Sequence, residues 1–319
     1  MESKTSGTAI GVLPAWQMLV PRFRELDQSS GLNHQAHMKL LHLKVVLAAV
    51  DMHESSVDTL RAARELANAA GAKLHVVHAT PSGTDGAGAR QLFERSGLDR
   101  SEASLEIVAG EATHVIRSFA DKIKADVIVL GQHRERGTEP RSIGSTALGV
   151  VTNSWAPCLV VSRPLRLPLE HVVVPVDLSD TSRGALVVGL AWASALRKTE
   201  RSGREGRDET AHLTALFVGA TTRGTSSPAL DDELARLRRD AGTWAGVSIR
   251  GAVVAGDKVP QSIAAYADEH HADLIVLGTR GLGSDAVGRL GSVALGVLRE
   301  IDQPILLVPP AVWESLSRQ

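Results

Sequence analysis

One long stretch of the chain is written twice. "ADVIVLGQHRERGTEPRSIGSTALGVVTNSWAPCLVV" (Ala125 to Val161) aligns without a gap to "ADLIVLGTRGLGSDAVGRLGSVALGVLREIDQPILLV" (Ala272 to Val308). Within it, "GSTALGV" and "GSVALGV" differ at a single position. Upstream, "KVVLAAVDMHESS" parallels "EHVVVPVDLSDTS", which sets Asp51 opposite Asp177. "IVAGEATHVIRSFADKIKAD" likewise parallels "VVAGDKVPQSIAAYADEHHAD". The repeat is far longer than the ~20–50-residue period of solenoids and propellers, so each copy is a domain rather than a module of an array. Whatever fold one copy adopts, the chain adopts twice.

Each copy alternates short apolar runs with helical patterns. "LKVVLAAV", "KLHVVHA", "LEIVAG", "DVIVLG" and "CLVV" read as five strands, valine-rich and suited to burial on both faces. Between the first two, Leu60, Ala63, Ala67 and Ala70 share a helical face, Ser55 or Ser56 can cap its start, and Gly71 ends it. "PSGTDGAGARQLFERSGLDRSEAS" is mostly loop with one short helix, and "ATHVIRSFADKIK" is a further helix. The second copy repeats the order, with the polar insertion "RKTERSGREGRDE" lengthening one connection. This pattern predicts an α/β class, with two tandem parallel-sheet, Rossmann-like domains covered by helices on both faces. The expected boundaries are 1–42 for an unassigned N-terminal arm, 43–163 for the first domain and 170–309 for the second. "RPLRLPLE" between them reads as a stiff, proline-containing linker. Met38 is a candidate later start.

Composition narrows the partners. Basic and acidic residues balance at 35 and 36, and the net charge of −1 offers no footprint for nucleic acid. Nothing approaches the ~20 apolar residues of a membrane helix. The run "AIGVLPAWQMLV" is broken by Pro14 and has the wrong polarity for a secretory leader. Cys158 is the only cysteine, which excludes an intrachain disulfide and fits a reducing, cytoplasmic setting. It lies in "PCLVV" and reads as an inert buried thiol.

The chemistry concentrates in "GTRGLGSDAVGRLGS" (Gly278 to Ser292). Gly278 follows the apolar "DLIVL", at the carboxyl end of a strand, where open parallel sheets bind ligands. Gly291 and Ser292 open the next helix, whose unpaired N–H groups and dipole favour an anion. Three glycines admit close approach, a capping serine closes the loop, and Arg280 and Arg289 add positive charge, so the stretch reads as a phosphate cradle. A tight turn with an N-cap explains one glycine and the serine but not all three.

The G-x2-G-x9-G-S arrangement after the fourth strand, with an aspartate just after the first, resembles the universal stress proteins, and the duplication resembles their tandem form. The resemblance covers about residues 43–308. It implies a five-stranded parallel sheet of order 3-2-1-4-5 in each domain, with the fifth strands paired into an internal pseudo-dimer. It also implies ATP, with or without Mg2+, in the C-terminal crevice. Gly278, Gly281, Gly291 and Ser292 would hold ribose and phosphates, Asp177 would meet the adenine side, and the backbone of Val218 would read the adenine edge. The first copy keeps Asp51, Gly131, Gly144 and Ser145 but has Arg134 in place of the middle glycine. That substitution favours a weakened or lost site, since a side chain there can block the backbone from phosphates; the alternatives are an arginine that contacts a phosphate directly and, with Asp51 kept, an altered ligand.

Other signals are weaker. "GLGSDA" fits the dinucleotide fingerprint but follows the wrong strand, and "GATTRGTS" has P-loop spacing without its lysine. The twelve histidines show no metal-ligand spacing; His34 and His37 lie in the arm, while His75 and His78 point to opposite faces of a strand. His270 and His271 end a helix, and His53 faces solvent or the first pocket. The expected function is a stress-response regulatory protein that binds ATP. The alternatives are a slow ATPase, for which Asp177 or Asp285 would serve, and a nucleotide-independent scaffold. Expected partners are the adenine nucleotide, a second copy as a homodimer, and an unidentified protein.

Overall fold

The structure is a computed structural model and describes residues 43–51, 56–80, 86–99, 101–132, 143–197, 210–219, 228–239, 244, 246–281 and 289–317. The first copy forms β1 (Val45–Val50), α1 (Ser56–Ala70), β2 (Lys73–Thr80), α2 (Ala87–Arg95), β3 (Ala103–Ala109), α3 (Ala112–Ile123), β4 (Val127–Gly131), α4 (Ser145–Asn153) and β5 (Cys158–Val161). The second forms β6 (His171–Pro175), α5 (Asp180–Ala195), β7 (Ala211–Gly219), α6 (Pro228–Arg239), β8 (Val247–Ala255), α7 (Val259–Glu269), β9 (Leu274–Gly278), α8 (Ser292–Glu300) and β10 (Ile305–Val308), followed by α9 (Pro310–Ser317). The α1 face predicted from periodicity is inward: Leu60, Ala63 and Ala67 are buried, and Gly71 leaves the helix at φ 65°. The N-terminal arm, most of the polar insertion, Arg134, His34, His37, His53, Asp285 and most of "GATTRGTS" lie outside the described residues.

All ten strands join one sheet of order β3-β2-β1-β4-β5-β10-β9-β6-β7-β8. Each half reads 3-2-1-4-5 and is parallel; the halves meet where β5 and β10 run antiparallel, in register Ile305↔Val160, Leu306↔Leu159 and Leu307↔Cys158. An unpaired apolar edge invites association, and here each domain supplies the cover for the other. One core lies on each face of the sheet, and both run across this seam: Leu159, Val161, Leu306 and Val308 enter one, Cys158, Val160, Ile305 and Leu307 the other. Burial pushes the Cys158 thiol up to about 12, so it stays protonated and inert.

Two features extend the fold beyond the repeat. The linker is more than a spacer, because Leu165 and Leu169 are 3% and 1% exposed and both join the core. Each such leucine contributes about 1.5–3 kcal/mol by leaving water. Helix α9 lies on α5, where a Cβ on Gly184 would sit 3.1 Å from the Cβ of Trp313. The repeat carries no trace of α9, because the linker occupies the corresponding place after the first copy.

A polar chain, buried at His171 and Thr214, ties β6 to its neighbours. The His171 Nδ1–H donates to the His270 carbonyl at 2.9 Å, leaving Nε2 to accept from the Thr214 hydroxyl at 2.9 Å. The Thr214 oxygen in turn accepts from Arg250 Nε at 2.9 Å. Each group has one role in this chain, and a second proton on His171 would orphan the Thr214 O–H. Burial holds the His171 pKa below its ordinary 6.5; the bond to the His270 carbonyl opposes this, and the Arg250 charge adds to it. His75 is lowered in the same direction, first by burial and then by Lys73. The unfolded chain therefore holds these protons more tightly. Their contribution to stability is complete above the unfolded value of about 6.5 and is lost as the pH falls below it. Urea midpoints are expected to decline between about pH 7 and about pH 5, before most carboxylates titrate. A midpoint that stays level over that range would contradict this account.

Candidate functional site

The second crevice sits where the sheet order reverses, between the carboxyl ends of β6 and β9. Asp177 follows β6 in a tight turn, with its Oδ1 accepting from the Ser179 N–H at 3.0 Å and the Ser179 hydroxyl at 2.6 Å. The same serine caps α5 by accepting from the Ser182 N–H at 3.2 Å. Between them, Leu178 is held at φ 65°, a conformation that costs a non-glycine residue on the order of 1–3 kcal/mol. The turn thus fixes the aspartate at the crevice with one carboxylate oxygen occupied by the chain itself.

Gly281 brings the second element to this aspartate. A Cβ built on Gly281 would collide with Asp177 Oδ2. Loop and acid, read separately in the sequence, are therefore in contact range, and only glycine leaves room between them. The loop is pinched shut at its base, where the Gly291 N–H donates to the Thr279 carbonyl at 2.9 Å. A Cβ on Gly291 would lie 3.4 Å from that oxygen and 3.5 Å from the Arg280 Cα. Arg280 is half-buried beside this clasp and Arg289 is exposed.

Gly278 has a different reason to be glycine. A Cβ there would stand 2.7 Å from Thr181 Cγ2, with the Arg280 carbonyl oxygen at 3.1 Å and the Thr181 carbonyl carbon at 3.2 Å. The group that approaches it closely is the first turn of α5. Gly131 repeats the relation in the first domain, where its Cβ would meet Thr59 Oγ1 at 2.6 Å. Sequence reasoning missed Thr181 and Thr59, which do not occupy matching positions in the two copies.

The serine reading needs correction. Gly291, not Ser292, occupies the cap position of α8, with φ −61° and ψ 149° and no side-chain cap bond. Ser292 is the first helical residue and is exposed. The Leu295 N–H returns to the Gly291 carbonyl at 2.9 Å, so the N–H groups of the preceding helical residues have no partner within the helix and none from the side chain at the cap position. Such an end attracts anions. Gly144 leaves α4 the same way in the first domain.

Val218 lies on β7, next to β6. The Leu216 carbonyl accepts from the Val176 N–H at 2.9 Å, and strand pairing with β6 ends at Pro175↔Leu216. Alternation along a strand turns the Val218 N–H and C=O to the same side as those of Leu216. They face the β6 side of the strand, beyond its last paired residues. Val218, Asp177, Gly278, Arg280, Gly281, Gly291 and Ser292 thus all line one edge of the second half-sheet.

The first domain holds the corresponding crevice. Its cavity of about 230 Å³ is lined by Asp51, Gly131, Gly144 and Ser145 among others, smaller than the ~300 Å³ at which small-molecule sites usually begin. Here Ser56 holds the acid, its hydroxyl donating to Asp51 Oδ1 at 2.7 Å. His78 also lines this cavity, its Nδ1–H donating to the Val50 carbonyl at 2.9 Å. Among the described residues, no group of three or more His, Cys, Asp or Glu side chains could hold a metal ion, and no helix is long and apolar enough to cross a membrane.

Comparison with known proteins gives this geometry a family. The sequence profile of the universal stress protein family matches residues 42–162 and again 168–309. A universal stress protein of Methanocaldococcus jannaschii is 41% identical over 59 residues, covering 18% of this chain and 35% of that protein, so the chain spans about a third of that relative's length. Among solved structures, a universal stress protein from Archaeoglobus fulgidus superposes with a TM-score of 0.60 at 19% identity, covering 84% of this chain and 98% of that one. A functionally unknown protein from Pseudomonas aeruginosa gives 0.58 at 12% identity, covering 88% and 98%. At these identities the structures speak for the fold alone, and the two profile matches carry the membership. The chain belongs to the universal stress protein family, with the family's domain present twice.

Proposed function

We propose that this protein is a stress-response regulator that binds ATP in the crevice of its second domain. The observation that carries the reading is the close approach of Gly281 to Asp177, where any side chain on the loop would collide with the carboxylate. It lies beside an α8 N-terminus with no side-chain cap. In this reading the adenine lies against the Val218 backbone and Asp177, and the phosphates lie over Gly281, Gly291 and the α8 N-terminus. Arg280 supplies positive charge. The first domain, with Arg134 in place of the middle glycine, binds nucleotide more weakly or not at all. Asp177 is assigned to the adenine end and is already engaged by Ser179, so binding without appreciable turnover is favoured over hydrolysis, which needs a positioned water at the γ-phosphate.

The test starts with protein purified without added nucleotide. Denaturation is expected to release ATP or ADP, and titration of the emptied protein with ATP, with and without Mg2+, is expected to give one site per chain. Asp177→Ala is expected to weaken binding by about tenfold, the worth of one hydrogen bond to a buried partner. No released nucleotide together with no heat of binding would reduce the protein to a scaffold of the same fold. Steady phosphate release lost in Asp177→Ala would make it an ATPase.

A further inference from the structure

Two side chains of the first domain hold the far end of α8 and the turn that follows it. Gln132, directly after β4, is 3% exposed, and its Nε2 donates to the Leu298 carbonyl at 2.6 Å. Ser162, directly after β5, donates its hydroxyl to the Asp302 carbonyl at 2.6 Å. Leu298 lies in the last turn of α8, where carbonyls have no partner within the helix. Gln132 is therefore a C-terminal cap delivered from the other domain.

The duplication shows that this grip is one-sided. In the gap-free alignment Gln132 corresponds to Thr279 and Ser162 to Pro309. Threonine has a shorter reach, and proline has no side-chain donor. The first domain holds α8 and the turn after it with two side chains whose aligned residues in the second domain, Thr279 and Pro309, are not suited to the same bonds.

Helix α8 is short enough to act as one rigid piece. Leu298 and Ser292 are about six residues apart, or ~9 Å along the axis. On its other side the helix rests against α7, where a Cβ on Gly296 would stand 2.5 Å from the Pro260 Cγ. A shift or rotation of the held end is thus transmitted to the end at the second crevice.

We propose that Gln132, assisted by Ser162, is a positioning residue for the second crevice. The first domain, itself lacking the full glycine loop, braces α8 so that its N-terminal N–H groups meet the phosphates bound by the other domain. This rests on the nucleotide reading above. It gives the weaker copy a task that does not require it to bind anything.

The experiment uses the full chain. Gln132→Glu keeps the side-chain length but presents a carboxylate that cannot donate to the Leu298 carbonyl. Its affinity for MgATP is expected to fall about tenfold, with amide hydrogen exchange along α8 accelerated by a similar factor. Ser162→Ala is expected to produce a smaller change in both. Leu92→Ala, a cavity in α2 away from α8, serves as a control that lowers the melting temperature and leaves the affinity unchanged. Should Gln132→Glu fail to fold, Gln132→Met removes the donor without adding charge. Wild-type affinity in a folded Gln132 variant overturns the proposal, as does a loss of affinity in Leu92→Ala equal to that in the Gln132 variant. If wild-type protein binds no ATP at all, the nucleotide reading fails instead, and α8 exchange alone decides the brace: unchanged exchange in the Gln132 variant removes it.

Discussion

Gly281→Val is expected to bind ATP at least about a hundredfold more weakly than wild type, the equivalent of two steps of 1.4 kcal/mol. Even the first carbon of the new side chain collides with Asp177 Oδ2, so the valine and the carboxylate cannot keep their present places. Either the acid is displaced from the turn that Ser179 holds, or the loop lifts away from the α8 N-terminus. Both outcomes move a group that the nucleotide needs. Residue 281 is only half-buried, so the change in unfolding free energy should remain within about 1 kcal/mol, and the loss would lie in binding. Calorimetric titration beside urea unfolding separates the two. Equal affinities for Gly281→Val and wild type would remove the loop from the nucleotide account.

Gly278→Ala should show the reverse pattern, with folding affected most. Its new methyl would press on Thr181 Cγ2 and on two backbone atoms at 3.1 and 3.2 Å. Overpacking of this kind costs typically 1–3 kcal/mol. Thr181→Ala combined with Gly278→Ala should recover part of the loss, because the side-chain clash is gone while the backbone contacts remain. In urea unfolding the double-mutant cycle is expected to give an interaction energy of at least about 0.5 kcal/mol. Gly131→Ala with Thr59→Ala should behave in the same direction in the first domain, since Thr59 Oγ1 is the atom in the way there. Undiminished stability in Gly278→Ala would mean that this glycine serves a ligand alone, as its spacing first suggests.

These two glycines show how far a motif can be read. Their spacing marks both as places without a side chain, but it cannot say what fills the space. At position 281 the neighbour is the acid at the end of β6, and at position 278 it is a threonine on α5. Both neighbours are about a hundred residues away along the chain. The serine at 292 illustrates the same limit. Its residue type favours a cap, but the fold places Gly291 at the cap position and leaves the helix end open. Asp177 was legible because it recurs opposite Asp51, whereas the serine seen to hold the acid stands at a different position in each copy, Ser179 in the second and Ser56 in the first.

The amino-acid order by itself determined the repeated α/β domain, the strand and helix succession, the inert buried cysteine and the glycine-rich loop after the fourth strand. These follow from local periodicity and from similarity between two segments of one chain, and neither requires knowing which distant residues meet. Only the tertiary structure decided that the linker leucines enter the core, that α9 covers α5, that His171 sits in a closed chain of hydrogen bonds, and that Gln132 reaches α8. Each is a contact between residues far apart in sequence, made by side chains whose type is compatible with many partners. The physical selection among those partners occurs only when the strands and helices pack and bring those distant side chains together.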